Sequence, residues 1–86
     1  MHLKDHAPEG PPLSIELRAG DEPLAIEAAG GRVHARPGAA RDPALVLKGR
    51  HALVFGVLMG KIGFEAARAA GMSYEGDPGV LTRVHP

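Results

Sequence analysis

The sequence predicts one α+β domain, a five-stranded, mostly antiparallel sheet covered on one face by three short helices. Three observations lead there. In the first half of the chain, apolar and polar residues alternate with the two-residue period of half-buried strands. Beyond Lys48 the period becomes helical. With 86 residues and no cysteine, there is room for one modest core, held by packing and not by disulfides or a thiolate metal site.

Residues 1–12 mix charge with three prolines and a glycine and show no helix or strand period, so they read as a flexible N-terminal segment ahead of a domain at 13–86. Leu13, Ile15 and Leu17 then alternate with Ser14, Glu16 and Arg18, the pattern of a strand with one wet face. A turn at 19–23 leads to a second alternating strand at 24–29, and Gly30-Gly31 supplies the positive-φ pair of a tight hairpin into a third strand at 32–36. Gly38 and Asp42-Pro43 mark a loop, and a fourth short strand follows at 44–48. Residues 50–60 form a helix that is apolar nearly all round, with Leu53, Val54 and Val57 on one side and Phe55, Leu58 and Met59 on the other. A short helix at 64–70, stopped by Gly71, precedes a fifth strand at 72–75. Asp77 and Pro78 then start a last helix with Val80, Leu81 and Val84 on its apolar face.

The helix without a polar face is the most informative of these elements. Only one side of it can rest on the sheet, so the other must meet a second helix, a ligand or another chain. Leaving Phe55, Leu58 and Met59 in water would forfeit about 5–9 kcal/mol, at about 1.5–3 kcal/mol for each side chain. A homodimer, or a ligand lying over that side, is therefore expected.

Composition excludes other classes. Ten basic and ten acidic residues, spread along the chain, make no stripe that would neutralise phosphates, so the domain is not expected to bind nucleic acid. The longest apolar run, 52–59, is far short of a membrane span, and the N-terminus lacks a signal peptide's apolar core. A cytoplasmic location is the expectation. Of five histidines, His2, His6 and His85 lie near the chain ends, and His34 and His51 lack the close spacing of a metal motif. Ser14, Ser73 and Thr82 stand in no nucleophile motif, and Glu16 and Glu27, which could face each other across the first hairpin, fall where solvated charges belong. Gly56, Gly60 and Gly63 fall within and after an apolar helix, not in a phosphate loop. No catalytic residue, metal ligand or cofactor site is assigned.

The order of motifs is more telling than any one of them. Leu45-Val46-Leu47-Lys48-Gly49, then Gly60-Lys61-Ile62-Gly63-Phe64-Glu65-Ala66-Ala67, then Gly71-Met72-Ser73-Tyr74-Glu75-Gly76-Asp77, resemble the C-terminal half of the sterol carrier protein 2-like (SCP2-like) family. The opening meander is similar too, so the resemblance runs from about Leu13 to Val84. It implies the SCP2-like fold and an apolar ligand, a lipid or sterol-like molecule, lined by Phe55, Leu58, Met59, Ile62, Phe64 and Met72. Two departures qualify it. Residues 1–12 cannot form the long amphipathic helix that roofs the carriers' tunnel, and the final helix stops early. This short variety resembles domains appended to winged-helix transcriptional regulators of the HxlR type and to some hydrolases, which implies ligand sensing or dimerisation. An empty apolar tunnel of about 300 Å³ would cost roughly 7 kcal/mol, close to the whole stability of a small domain, so none is expected.

Overall fold

The computed structural model describes residues 3–86; Met1 and His2 lie outside the described residues, and with them the reading of His2. Seven strands, β1 (Lys4–Asp5), β2 (Leu13–Arg18), β3 (Leu24–Ala29), β4 (Arg32–Pro37), β5 (Leu45–Lys48), β6 (Ser73–Gly76) and β7 (Val84–His85), join two α-helices, α1 (His51–Leu58) and α2 (Phe64–Ala69). A 3-10 helix spans Pro78–Thr82.

The main sheet has the order β4-β3-β2-β5-β6. Three of its ladders are antiparallel, and β2 pairs with β5 in parallel. The register is what the alternation demands. Ile15 stands between Ile26 and Leu45, and Leu17 between Leu24 and Leu47, so the apolar sets of neighbouring strands line up on one face. The Gly30-Gly31 turn has φ of 59° and 86°, the mirror-image geometry that matches strand twist and that glycine adopts without strain.

On that face, α1 buries Leu53, Val54, Val57 and Leu58. Positions four apart stack, so 53/57 and 54/58 merge into one stripe, and Leu58 belongs to the sheet side, not to the open side the sequence suggested. Only Phe55 and Met59 remain half-buried at the stripe's edge. The helix ends where the chain turns left-handed: Lys61 N–H bonds to Gly56 O at 2.8 Å and Gly60 N–H to Val57 O at 3.1 Å, with Gly60 at φ 73°. α2 ends in the same pattern, Met72 N–H on Ala67 O and Gly71 N–H on Arg68 O.

Four expectations change. The last helix is 3-10, not α, so two α-helices are present instead of three. Asp77 does cap it, its Oδ1 accepting from Gly79 N–H at 2.8 Å, but Val84 lies beyond it in β7. The last strand of the main sheet starts at Ser73, which leaves Met72 in the core. The segment read as flexible is tied down: β1 pairs with β7, and the buried Asp5 carboxylate accepts from Arg83 Nε at 2.8 Å and from Ala7 N–H at 3.0 Å. Its other oxygen accepts from Arg83 Nη2 and from Gly31 N–H. The Arg83 guanidinium holds the Asp5 carboxyl far below the usual aspartate range, against the opposing effect of burial.

The fourth change concerns the other face of the sheet. The β4 to β5 connection crosses it to reach the middle of the sheet, and Ala40 N–H donates to Glu16 Oε1 at 2.9 Å. Glu16 is thereby 2% exposed. It lies between Ala25 and Val46, both buried, and pairs with Arg18, so it is not a solvated face residue. Nor does it face Glu27, which stands opposite Ser14. The Arg18 hydrogen bond lowers the Glu16 pKa, outweighing burial, with Ala40 N–H assisting.

Candidate functional site

The six apolar residues singled out in the sequence do not surround one cavity. Leu58 and Met72 are buried, at 1% and 4% exposure, and act as core. Phe55, Ile62 and Phe64 are half-buried and pack against that core. Met59 is half-buried at the end of α1. Ile62 folds back over the bare backbone of Gly56, where a Cβ would press on its Cγ1 at 2.8 Å. Phe64 meets Tyr74 edge to face with ring centres 5.0 Å apart, and Arg68 lies over the Tyr74 ring at 5.3 Å.

An open hollow of about 150 Å³ lies beside Phe55, lined also by Leu17, Ala19, Glu22, Leu24 and His51. Its construction is local. Leu17 and Leu24 are cross-strand partners at the closing end of the β2–β3 hairpin, and α1 starts at His51 just beneath. One helical turn separates His51 from Phe55, and the two rings stack at 4.3 Å, forming one wall. The floor is apolar, while the rim carries Glu22 and His51. Such a hollow offers dispersion contact and a polar mouth; among the described residues no hydrogen bond or ion pair joins Glu22 to His51.

Two further hollows are wider and more polar. One, of about 480 Å³, follows Glu65, Arg68, Met72 and Tyr74 along α2 and β6. The other, of about 420 Å³, lies on the opposite face by Ser14, Glu27, Arg41 and Asp42. Among the described residues, no group of three or more His, Asp or Glu side chains could hold a metal ion, and no helix is long and apolar enough to cross a membrane.

The sequence reading missed Leu17, Leu24 and His51 as neighbours of Phe55. Leu17 and Leu24 were assigned to the sheet face by their period, correctly, but period carries no information on where α1 begins relative to the hairpin. The turn residues Asp21-Glu22-Pro23 were the available signal, since a hairpin must end there and its last apolar pair must be covered by whatever lies next.

No protein-family model matches the sequence, and no curated protein matches it. Solved structures do. A sec-alkylsulfatase, Pisa1 from Pseudomonas sp., superposes with a TM-score of 0.68 at 13% identity, over 87% of this chain and 13% of its own. A double mutant of the same sulfatase gives 0.66 at 16% identity, over 83% of this chain and 12% of its own. UbiJ-SCP2, a ubiquinone synthesis protein, gives 0.64 at 11% identity, over 83% of this chain and 60% of its own. The fold is SCP2-like. The chain spans about an eighth of the sulfatase, where this architecture is one part of a much longer polypeptide. At these identities the likeness is one of fold.

Proposed function

We propose that this domain is a non-enzymatic module that binds an apolar small molecule, a lipid or sterol-like compound, at the hollow beside Phe55. The observation that carries the reading is the hollow itself, with an apolar floor of Leu17, Leu24 and Phe55 and a charged rim, in a domain of SCP2-like fold. Its size sets the mode of binding. A space of about 150 Å³ holds a benzene-sized group, so it takes the end of an acyl or isoprenoid chain and leaves the rest lying along Met59 and Ile62. In a longer protein the module would sense its ligand for an attached domain, the C-terminal part of an HxlR-type transcriptional regulator being the setting the sequence resemblance implies.

Titration with dodecanol, followed by amide chemical shifts, tests this. Saturable shifts centred on Leu24, His51 and Phe55, lost in Phe55→Ala while the rest of the spectrum is kept, are expected. Shifts that fail to saturate, or that centre on α2 and β6, would remove the reading.

A second reading rests on Met59, one turn beyond Phe55 at the end of α1, and Ile62, packed over Gly56, both half-buried and apolar. Here the same side of α1 forms a homodimer. Sedimentation equilibrium distinguishes the two: a ligand-free dimer that Met59→Glu dissociates favours the interaction module, and a monomer favours ligand binding.

A further inference from the structure

The sheet ends at β4, which is hydrogen-bonded only to β3, with β1 packed near it. It follows a two-residue turn, so the closing pair Ala29/Arg32 bonds within the hairpin, as do Glu27/His34 and Ala25/Arg36. The alternate residues Val33 and Ala35 therefore turn their N–H and C=O groups outward, away from β3. Pro37 closes the row without a donor.

On the face away from the helices, the same strand presents Arg32, His34 and Arg36, each exposed, at spacings of about 6.8 Å. Arg36 shares its charge with Glu27, Nε to Oε1 at 3.1 Å. Arg32 and His34 have no side-chain hydrogen bond or ion pair among the described residues. On the helix face the strand offers Val33, half-buried against the core, and Ala35. The edge thus alternates polar residues, among them the cations Arg32 and Arg36, on one side with apolar residues on the other.

We infer that β4 is a docking edge for an extended acidic segment of another protein, which adds as a sixth strand with Asp or Glu at alternate positions and apolar residues between them. Charge selects that occupant. A second copy pairing β4 antiparallel with β4 about His34 would set Arg32 of each copy against Arg36 of the other, which like-charge repulsion opposes. An acidic strand instead places carboxylates opposite Arg32 and Arg36 at cross-strand distance, while its apolar residues extend the helix-side face beside Val33. The opposite edge, β6, has four residues, and its outward Glu75 already pairs with Lys48. It lacks the cationic row.

The inference is independent of the ligand site on α1, and its test does not involve Phe55. A short fluorescein-labelled peptide alternating valine and glutamate is titrated against the full chain, with a valine–lysine peptide as control. The expected result is binding of the glutamate peptide that weakens with salt, with slowed amide exchange at Val33 and Ala35. Combined Arg32→Glu and Arg36→Glu substitution should weaken that binding by roughly tenfold or more and reverse the preference toward the lysine peptide. Both side chains are exposed, so folding should survive, and far-UV circular dichroism verifies it. Equal binding of the two peptides, protection at β6 instead of β4, or no binding at low salt would each overturn the inference and leave the arginines as guards of a bare edge.

Discussion

Replacing Leu58 by alanine should be far more damaging than replacing Phe55, although the sequence puts both on one side of the same helix. Leu58 is 1% exposed and sits in the core formed by the sheet and α1. Its truncation removes buried methyl groups and leaves a sealed void, at a cost of about 2–5 kcal/mol. Phe55 faces a hollow already open to solvent, so Phe55→Ala loses part of a transfer energy and seals no void, at a cost of about 1–2 kcal/mol. A chain of this size should have a urea slope near the low end of about 1–3 kcal/mol per molar. Leu58→Ala should therefore lower the unfolding midpoint by about 2 M or more, and Phe55→Ala by about 1 M. The chain has no tryptophan, so far-UV circular dichroism is the suitable probe. Equal midpoint shifts for the two variants would refute the argument, because α1 would then be core on both sides and the hollow would have no accessible wall.

Three more expectations follow from the same geometry. Because the Asp5 carboxyl is depressed below its ordinary 3.8, the unfolded chain binds the proton first as acid is added. The stability contributed by the Asp5–Arg83 pair is then full above about pH 4–5 and falls as the pH drops below that; Asp5→Asn should flatten this slope in acid unfolding curves. Glu16→Ala should leave the Ala40 N–H without its acceptor and speed its amide exchange, while amides of α1 keep their rates; unchanged exchange at Ala40 would show that the connection is held by other means. Gly76→Ala should destabilise the fold strongly, since Gly76 has φ 99° and the new Cβ would strike the Ala44 carbonyl, which accepts from Asp77 N–H at 2.8 Å and so cannot move without losing that bond. A thermal midpoint within about 2 °C of the parent would contradict that packing.

Much of the sheet was legible because strand register has a period of two and a buried face. Ile15, Leu17 and Ile26 read as alternating apolar positions, and with Leu45 and Leu47 of the fourth short strand they form one set. Turn chemistry was equally local, as at Gly30-Gly31 and Asp77-Pro78. What failed needed information from far along the chain. Asp5 and Arg83 are 78 residues apart, and neither has a neighbour that announces the other. Glu16 looked solvated because alternation alone put it opposite Ile15 and Leu17. Yet Ala25 and Val46, apolar residues at outward positions beside it, signalled a covered second face. The helix stripe was misjudged by one residue: Leu58 lies four from Val54 and three from Phe55, and the sheet, not the helical period, decides between them. For the same reason the six candidate residues divide between core and surface instead of enclosing a common space.

The pairing of β1 with β7 makes the chain nearly circular. Lys4 and His85 are opposite partners in one antiparallel ladder, so the backbone arrives and departs about 5 Å apart. A domain of that shape can be spliced into a surface loop of a host protein without prising apart the residues that flank the insertion. It can equally be rejoined through a short linker and reopened in the exposed turn at 20–22, with each strand of the five-stranded sheet left intact. Whatever is joined at Lys4 and at His85 leaves the domain from one place on its surface.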